Sequence, residues 1–342
     1  MTTRKTKSSS IRWPEGYTYR PAERSDAEAI HRLLIEIEAV DQRQWVDTLD
    51  ERLRDFDDPE TNPETDSFLA LTPEGQVAGL AWVFSNPEAD HDYSAYLWGE
   101  VHHAHRDRGL GSALLQWMEA RGREILATRP SNLPHYLKHG CLDRLNDRIK
   151  LLELHGFTAA RSFYQMRRDL NLPIPTWPLP DGIQITFWLR EHESEARQVL
   201  NLAFRDHWGA APVSEDAWRL FFGGHPDFRT DLCRMAWANL PGGKQLLVGI
   251  SLVRVSEAEN QALNLKEGWV ADLAVLREWR RQGIATALLC ETMQGFKAAG
   301  LETAGLGVDT ENLTGALRIY ERLGFYPVSR RVTFLKTVQE AK

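Results

Sequence analysis

The chain has 342 residues, a formal net charge of −7, 42% apolar residues and 12 tryptophans. Its length predicts two domains, each with its own core, and the lack of a long apolar run excludes a membrane-spanning helix. The negative balance argues against a general nucleic-acid binder, whose affinity rests on clustered Lys and Arg. Cys141, Cys233 and Cys290 have no metal-ligand spacing, so no metal site is expected and the thiols read as buried and reduced, as in a cytoplasmic protein.

Residues 1–12 are basic and serine-rich, with no apolar core for a signal peptide, and are expected to be a disordered tail. A first domain is expected over 13–172. Ser25 and Glu28 suggest a capping box before a helix with Ile30, Leu33, Leu34 and Ile37 inward, and Ser67–Leu71 with Val77–Phe84 read as a hairpin. Pro173, Pro175, Pro178 and Pro180 then mark a semi-rigid linker over 173–181. The second domain, 182–342, repeats the plan, with a strand at Ile183–Thr186, a helix through Val199, Leu200 and Ala203, and strands around Leu246–Val255. Trp13 and Trp177 fall in tail and linker and read as covers for domain seams.

One phrase is written twice in the same register. Val101, Arg106, Asp107, Arg108, Gly109, Gly111 and Ser112, closing on Ala113-Leu114-Leu115, return 174 positions later as Val275, Arg280, Arg281, Gln282, Gly283, Ala285 and Thr286, closing on Ala287-Leu288-Leu289. Each copy reads as a strand end, a basic turn and an amphipathic helix start, and such self-similarity marks a repeated structural unit. Free N–H groups and the positive helix end would meet an anion there, with Gly283 and Ala285 letting the backbone approach and Arg280 and Arg281 adding charge. The geometry suits a pyrophosphate.

The pattern Arg-x-x-Gly-x-Gly/Ala after a strand resembles the acetyl-CoA signature of the Gcn5-related N-acetyltransferases, the GNAT superfamily. A second stretch, Val308-Asp309 through Asn312 and Tyr320 to Gly324-Phe325, is similar to the other half of that signature. Most of the chain resembles the tandem, mycothiol synthase-like two-domain group. The resemblance implies an α/β (α+β) fold: two tandem GNAT domains, each a mixed, mostly antiparallel sheet flanked by helices.

It also implies acetyl-CoA as donor, held by Leu273, Ala274, Val275, Arg280, Arg281, Gln282, Gly283, Ile284, Ala285, Thr286 and Asn312, with the main chain of Leu273–Val275 as oxyanion donor. Val101, Arg106, Asp107, Arg108, Gly109, Gly111 and Ser112 form the matching set of the first half. Tyr320 inherits the role of acid to the leaving thiolate. Leu152 and Arg144 stand where the second half has Tyr320 and Asn312, so the first domain is expected to bind or support and the second to catalyse. A carboxylate is needed to deprotonate the amine; Asp272 is preferred, with Glu267, Asp206 and His207 as alternatives.

Asp206, His207 and Trp208 are the candidate acceptor residues, while Trp218, Phe221 and Phe222 read as the inner face of a helix. The expected activity is direct transfer of an acetyl group to a primary amine of a small molecule by a cytoplasmic monomer or weak homodimer, without nucleic-acid or membrane partners. A peptide or protein amine as acceptor, and a non-catalytic acyl-CoA sensor, are the other readings. A phosphate-loop enzyme is excluded, because neither turn ends in Gly-Lys-Ser/Thr.

Overall fold

Ile30, Leu33, Leu34 and Ile37, spaced for one helical face, are all buried on α1 (Ala27–Asp41) in the computed structural model. It describes residues 11–44, 48–58, 61–85, 91–130, 132–311 and 315–340. Most of the expected tail, and Asn312, lie outside the described residues. The start of α1 differs from the expected Ser25/Glu28 box. Glu23 N–H donates to the Asp26 carboxylate (2.8 Å), which Arg20 also grips at 2.6 and 2.7 Å, so Asp26 is locked at the helix entry and the box forms at Glu23 and Asp26, ahead of the expected pair.

The chain divides into two compact units, Met1–Arg161 with Arg331–Lys342, and Ser162–Arg330. The first unit runs β1 (Thr18–Arg20), α1, α2 (Leu49–Asp55), α3 (Pro63–Asp66), β2 (Ser67–Leu71), β3 (Val77–Ser85), β4 (Tyr93–Val101), α4 (Leu110–Leu126), β5 (His135–Leu142), α5 (Asn146–Leu154) and the first residues of β6 (Thr158–Asp169). β1 to β4 pair antiparallel in sequence order, and β4 pairs parallel with β5, the long crossover being made by α4. Leu110, Leu114, Leu115 and Met118 of α4 pack into a core with Ala81, Val83, Leu97 and Leu137.

The second unit starts on the rest of β6 and continues β7 (Ile183–Phe187), α6 (Glu193–Phe204), α7 (Glu215–Trp218), β8 (Arg234–Asn239), β9 (Gln245–Arg254), α8 (Glu257–Leu263), β10 (Glu267–Val275), α9 (Ile284–Ala298), β11 (Thr303–Asp309), α10 (Ala316–Arg322) and the opening of β12 (Tyr326–Gln339). β7 to β10 are antiparallel and β10 pairs parallel with β11 across α9. The two sheets therefore share one mixed, mostly antiparallel plan.

Each sheet is closed by a strand whose other end lies in the opposite half of the sequence. Arg331–Gln339 of β12 pairs antiparallel with β5 in the first unit, and Phe163–Asp169 of β6 pairs with β11 in the second. The division thus differs from a junction at 173–181. Prolines mark where regular structure stops, but the ladder between β6 and β11 carries the chain into the second unit before they occur.

The aromatic helix also departs from expectation. Trp218 and Phe222 are buried, but Phe221 is 47% exposed. Residues Arg219–Gly223 form a π-helical turn, with Gly224 N–H bonding the Arg219 carbonyl at 2.7 Å, and the wider turn rotates Phe221 out of the inward face. All three cysteines are free and buried.

Candidate active site

The site of the second unit begins where two parallel strands part. The β10/β11 ladder ends at Val270 opposite Leu306, and a β-bulge between Val270 and Asp272 breaks the register of β10 against β9. Beyond it, Asp272–Val275 stays paired with β9, while Gly307–Asp309 of β11 stays paired with β6. The edge of β10 that faces away from β9 is therefore released along Leu273–Val275, and its main-chain groups front a cleft. This is the stretch expected to supply the oxyanion donor.

At the mouth of the cleft the chain enters α9 through Gly283, whose φ of 85° is left-handed, preceded by Arg281 at 62°. No side chain caps α9, and Ala287 N–H makes the first intrahelical bond, to the Gly283 carbonyl at 3.0 Å. The N–H groups of Ile284, Ala285 and Thr286 are thus the orphan donors of the helix start. Successive backbone N–H groups at a positive helix end fit a pyrophosphate. Arg280 is used differently from a simple charge. Its Nε donates to the Val275 carbonyl (3.1 Å) and its Nη2 to the Ala203 carbonyl (2.5 Å), fastening the turn to the strand end and to α6. Arg281 makes no such backbone tie and Gln282 bonds only the nearby Glu278 carbonyl.

Asp272 and Tyr320 come together from β10 and α10. Loss of solvent around the Asp272 carboxyl pushes its pKa up to about 6, against which the charge of Arg254 acts. Tyr320 is buried, and burial first, then the Asp272 charge, push its phenol up to about 12. The Tyr320 hydroxyl has no hydrogen-bond partner among the described residues. Glu267, the other carboxylate of the strand, is committed to Arg167 at 2.6 Å.

The segment after α6 is also drawn in. Asp206 meets Arg277 at 3.3 Å, and the His207 ring lies 4.4 Å from Phe204, with Trp208 6.2 Å from Phe163. Burial, then the charge of Arg280, lower the His207 pKa, so its imidazole is neutral at pH 7. Asp309 and Asp206 act on it in the opposite sense. Asp206, His207 and Trp208 therefore lie between the basic turn and the end of β11.

The first unit repeats the backbone and changes the side chains. β4 parts from β5 beyond Leu97 opposite His139, α4 starts on Gly109 at φ 80° without a side-chain cap, and Asp107 matches Arg281 at 61°. Arg106 repeats the tie of Arg280, from Nε to the Val101 carbonyl at 3.3 Å, and adds a two-point bond to Asp41. Gly111 packs its Cα side on Leu151, and Ser112 is bonded to His155 at 2.9 Å.

Residues 242–327 match the acetyltransferase (GNAT) domain, and residues 29–140 match the acetyltransferase (GNAT) family. The mycothiol acetyltransferase of Salinispora tropica is 30% identical over 291 residues, 83% of this chain and 84% of the relative. That of Thermobispora bispora is 29% identical, over 77% of this chain and 81% of its own. The chain belongs to the GNAT family. Among solved structures, a GCN5-related N-acetyltransferase from Sphaerobacter thermophilus superposes with a TM-score of 0.75 at 26% identity, covering 97% of this chain and 98% of the other. The protein is a tandem GNAT acyltransferase, and the repeat seen in the sequence is two GNAT folds in one chain.

In GNAT terms the two clefts are furnished differently. At the register of Tyr320 and Asp272 the first unit has Leu152 and Trp98, and it has no bulge in β4. Instead Glu100 is buried against Arg148, which bonds it at two points, with Arg43 at 3.4 Å. These charges hold the Glu100 carboxyl down at about 2 against the desolvation that would raise it. His139 beside them is pushed down to about 3, first by burial and then by Arg148. Sequence reading missed this cluster, and Arg254 with it, because partners brought together across strands leave no spacing to find.

Proposed function

We propose that the second unit transfers an acetyl group from acetyl-CoA directly to a primary amine of a small molecule, and that the first unit supports it. The observation that carries the reading is the pair at the cleft: a carboxylate raised to about 6 beside a phenol that keeps its proton and has no hydrogen-bond partner among the described residues. The donor supplies an activated acyl thioester when bound at the Gly283 turn. Asp272 takes the ammonium proton of the acceptor, directly or through water, because an ammonium has no lone pair to attack with. Above its pKa the carboxylate is the dominant form at neutral pH and a competent base. Tyr320, protonated throughout the physiological range, offers its Oη proton to the sulfur that leaves. The released N–H groups of Leu273–Val275 offer hydrogen bonds where the carbonyl oxygen gains charge.

The orphan amides of Ile284, Ala285 and Thr286, with Arg281, would hold the pyrophosphate, while Arg280 keeps the turn in place. Asp206, His207 and Trp208 are assigned to the acceptor side. Support for a small acceptor comes from the relatives named mycothiol acetyltransferase, which this chain matches along most of their length. Titration calorimetry with acetyl-CoA tests the donor site: heat that is lost in Gly283→Val places it at this turn, and no heat in the unaltered protein would refute the reading. A screen of small amines against peptides, read as free thiol released, then decides the acceptor class.

A second donor-binding position in the first unit is favoured by one observation. A cavity of about 800 Å³ opens beside its turn, lined by Arg12, Trp13, Tyr17, His105, Arg108 and Gly109. A stoichiometry of two in the same titration, reduced to one by Gly109→Val, would assign it. With Leu152 in place of a tyrosine, such a position binds without turning over.

A further inference from the structure

A short motif outside the family signature is repeated as well. Trp13-Pro14 precedes Gly16 and β1, and Trp177-Pro178 precedes Gly182 and β7; both glycines are left-handed, at φ 84° and 78°. In each unit this arm lies on the glycine that opens the helix after the basic turn. A Cβ built on Gly109 would sit 3.7 Å from Pro14 Cγ, and one built on Gly283 would sit 2.7 Å from Trp177 Nε1. The next atoms of Trp177 are Cδ1 at 3.4 Å and Cε2 at 3.8 Å, so the pyrrole edge carrying the N–H faces the turn. The body of the ring is partly buried against the core of the second unit, as is Ile174.

That indole N–H has no hydrogen-bond partner among the described residues. A buried Trp N–H usually finds one; on this partly buried ring the group stays open to solvent, where a ligand can reach it. Here the N–H is held at the mouth of a helix whose own first amides are orphaned and uncapped. The ring is anchored on the core of the second unit, and the backbone beside its N–H is a glycine with no side chain in the way. We infer that Trp177 is a donor-binding residue, its indole N–H bonding a pyrophosphate oxygen of coenzyme A alongside the α9 amides. The Trp-Pro arm is then a side wall of the phosphate site in the second unit. This rests on the donor reading above.

The experiment uses the full chain labelled with 15N at the tryptophan indoles. The Trp177 cross-peak is identified by its loss in Trp177→Phe, which keeps an aromatic anchor and removes only the N–H. Coenzyme A should move that cross-peak downfield, and pantetheine, which shares the thiol arm but lacks the pyrophosphate, should not. In calorimetry Trp177→Phe should bind coenzyme A roughly tenfold more weakly, the order expected for one hydrogen bond to a charged group. Binding that is abolished by Gly283→Val, yet leaves the Trp177 cross-peak unmoved and the Phe variant as tight as the original, would overturn the role of Trp177 alone. Absence of any binding at the Gly283 turn would remove the donor reading and this inference with it.

Discussion

Asp272 raises the pKa of Tyr320 although the two side chains come from different elements, β10 and α10, and neither bonds the other. The carboxyl and the phenol are therefore kept in opposite protonation states at neutral pH by one shared, poorly solvated environment. Burial raises both groups; it brings the carboxyl only to about 6, so that it still ionises, and takes the phenol to about 12, so that it does not.

The pH profile follows. kcat/KM should rise as pH passes through about 6 and then level off, with no fall attributable to Tyr320 below pH 10. Initial rates across pH 5 to 9 with saturating acetyl-CoA check this. Asp272→Asn should lower the plateau by about 10²-fold or more and erase the limb near 6. A limb that survives the substitution would assign the base to another group.

Stability should respond to the same residue in the opposite direction. The folded Asp272 binds its proton more tightly than the unfolded one, whose pKa is near 3.8, so the unfolded state is favoured progressively as pH rises from about 4 through about 6. Asp272→Asn should then stabilise the protein by on the order of 1–3 kcal/mol at pH 8 and by almost nothing at pH 4. Denaturant melts at the two pH values measure the difference.

Removing the phenol oxygen should separate chemistry from binding. Tyr320→Phe should reduce kcat by about 10²–10⁴-fold with acetyl-CoA affinity and thermal stability nearly unchanged, since the hydroxyl has no partner to lose among the described residues. Turnover equal to that of the unaltered enzyme would show that the leaving thiolate needs no acid from this position.

Glu100 offers the contrasting case. Its carboxyl is held at about 2 by Arg148 and Arg43, so its contribution is present above pH 4.5 and is lost as pH falls toward 2. Glu100→Gln removes the counter-charge that Arg148 grips at two points, while Arg43 keeps Glu38 at 3.3 Å, and should destabilise the first unit by about 3–5 kcal/mol at pH 7. Transfer rates per folded molecule should stay as they were, because the first unit is assigned no step.

The sequence reveals the pieces whose signals are local. Gly109 and Gly283 are legible because a left-handed helix entry needs glycine, and α1 and α9 because their apolar residues keep a 3.6 period. Arg280 was legible as a member of the turn and not as its fastener, since Ala203 O is reached only after α6 folds back beside β10. Phe221 was assigned inward on a period that a π-turn breaks. The Trp-Pro arm stood in plain view twice, yet its two copies differ by two residues in their distance to the glycine before the strand, and its target is more than 90 residues away in each half.

The closing strand of the first sheet, Arg331–Gln339, has a consequence for how the molecule is made. Chains emerge from the ribosome N-terminus first, and domains generally fold as they appear. Here the unit that appears first cannot complete its sheet until the residues of the second unit have been made, leaving the β5 edge open throughout their synthesis. An unpaired edge is a template for unwanted pairing. The β5 edge is therefore exposed while the second unit is being translated, and Arg331–Gln339 ends that exposure.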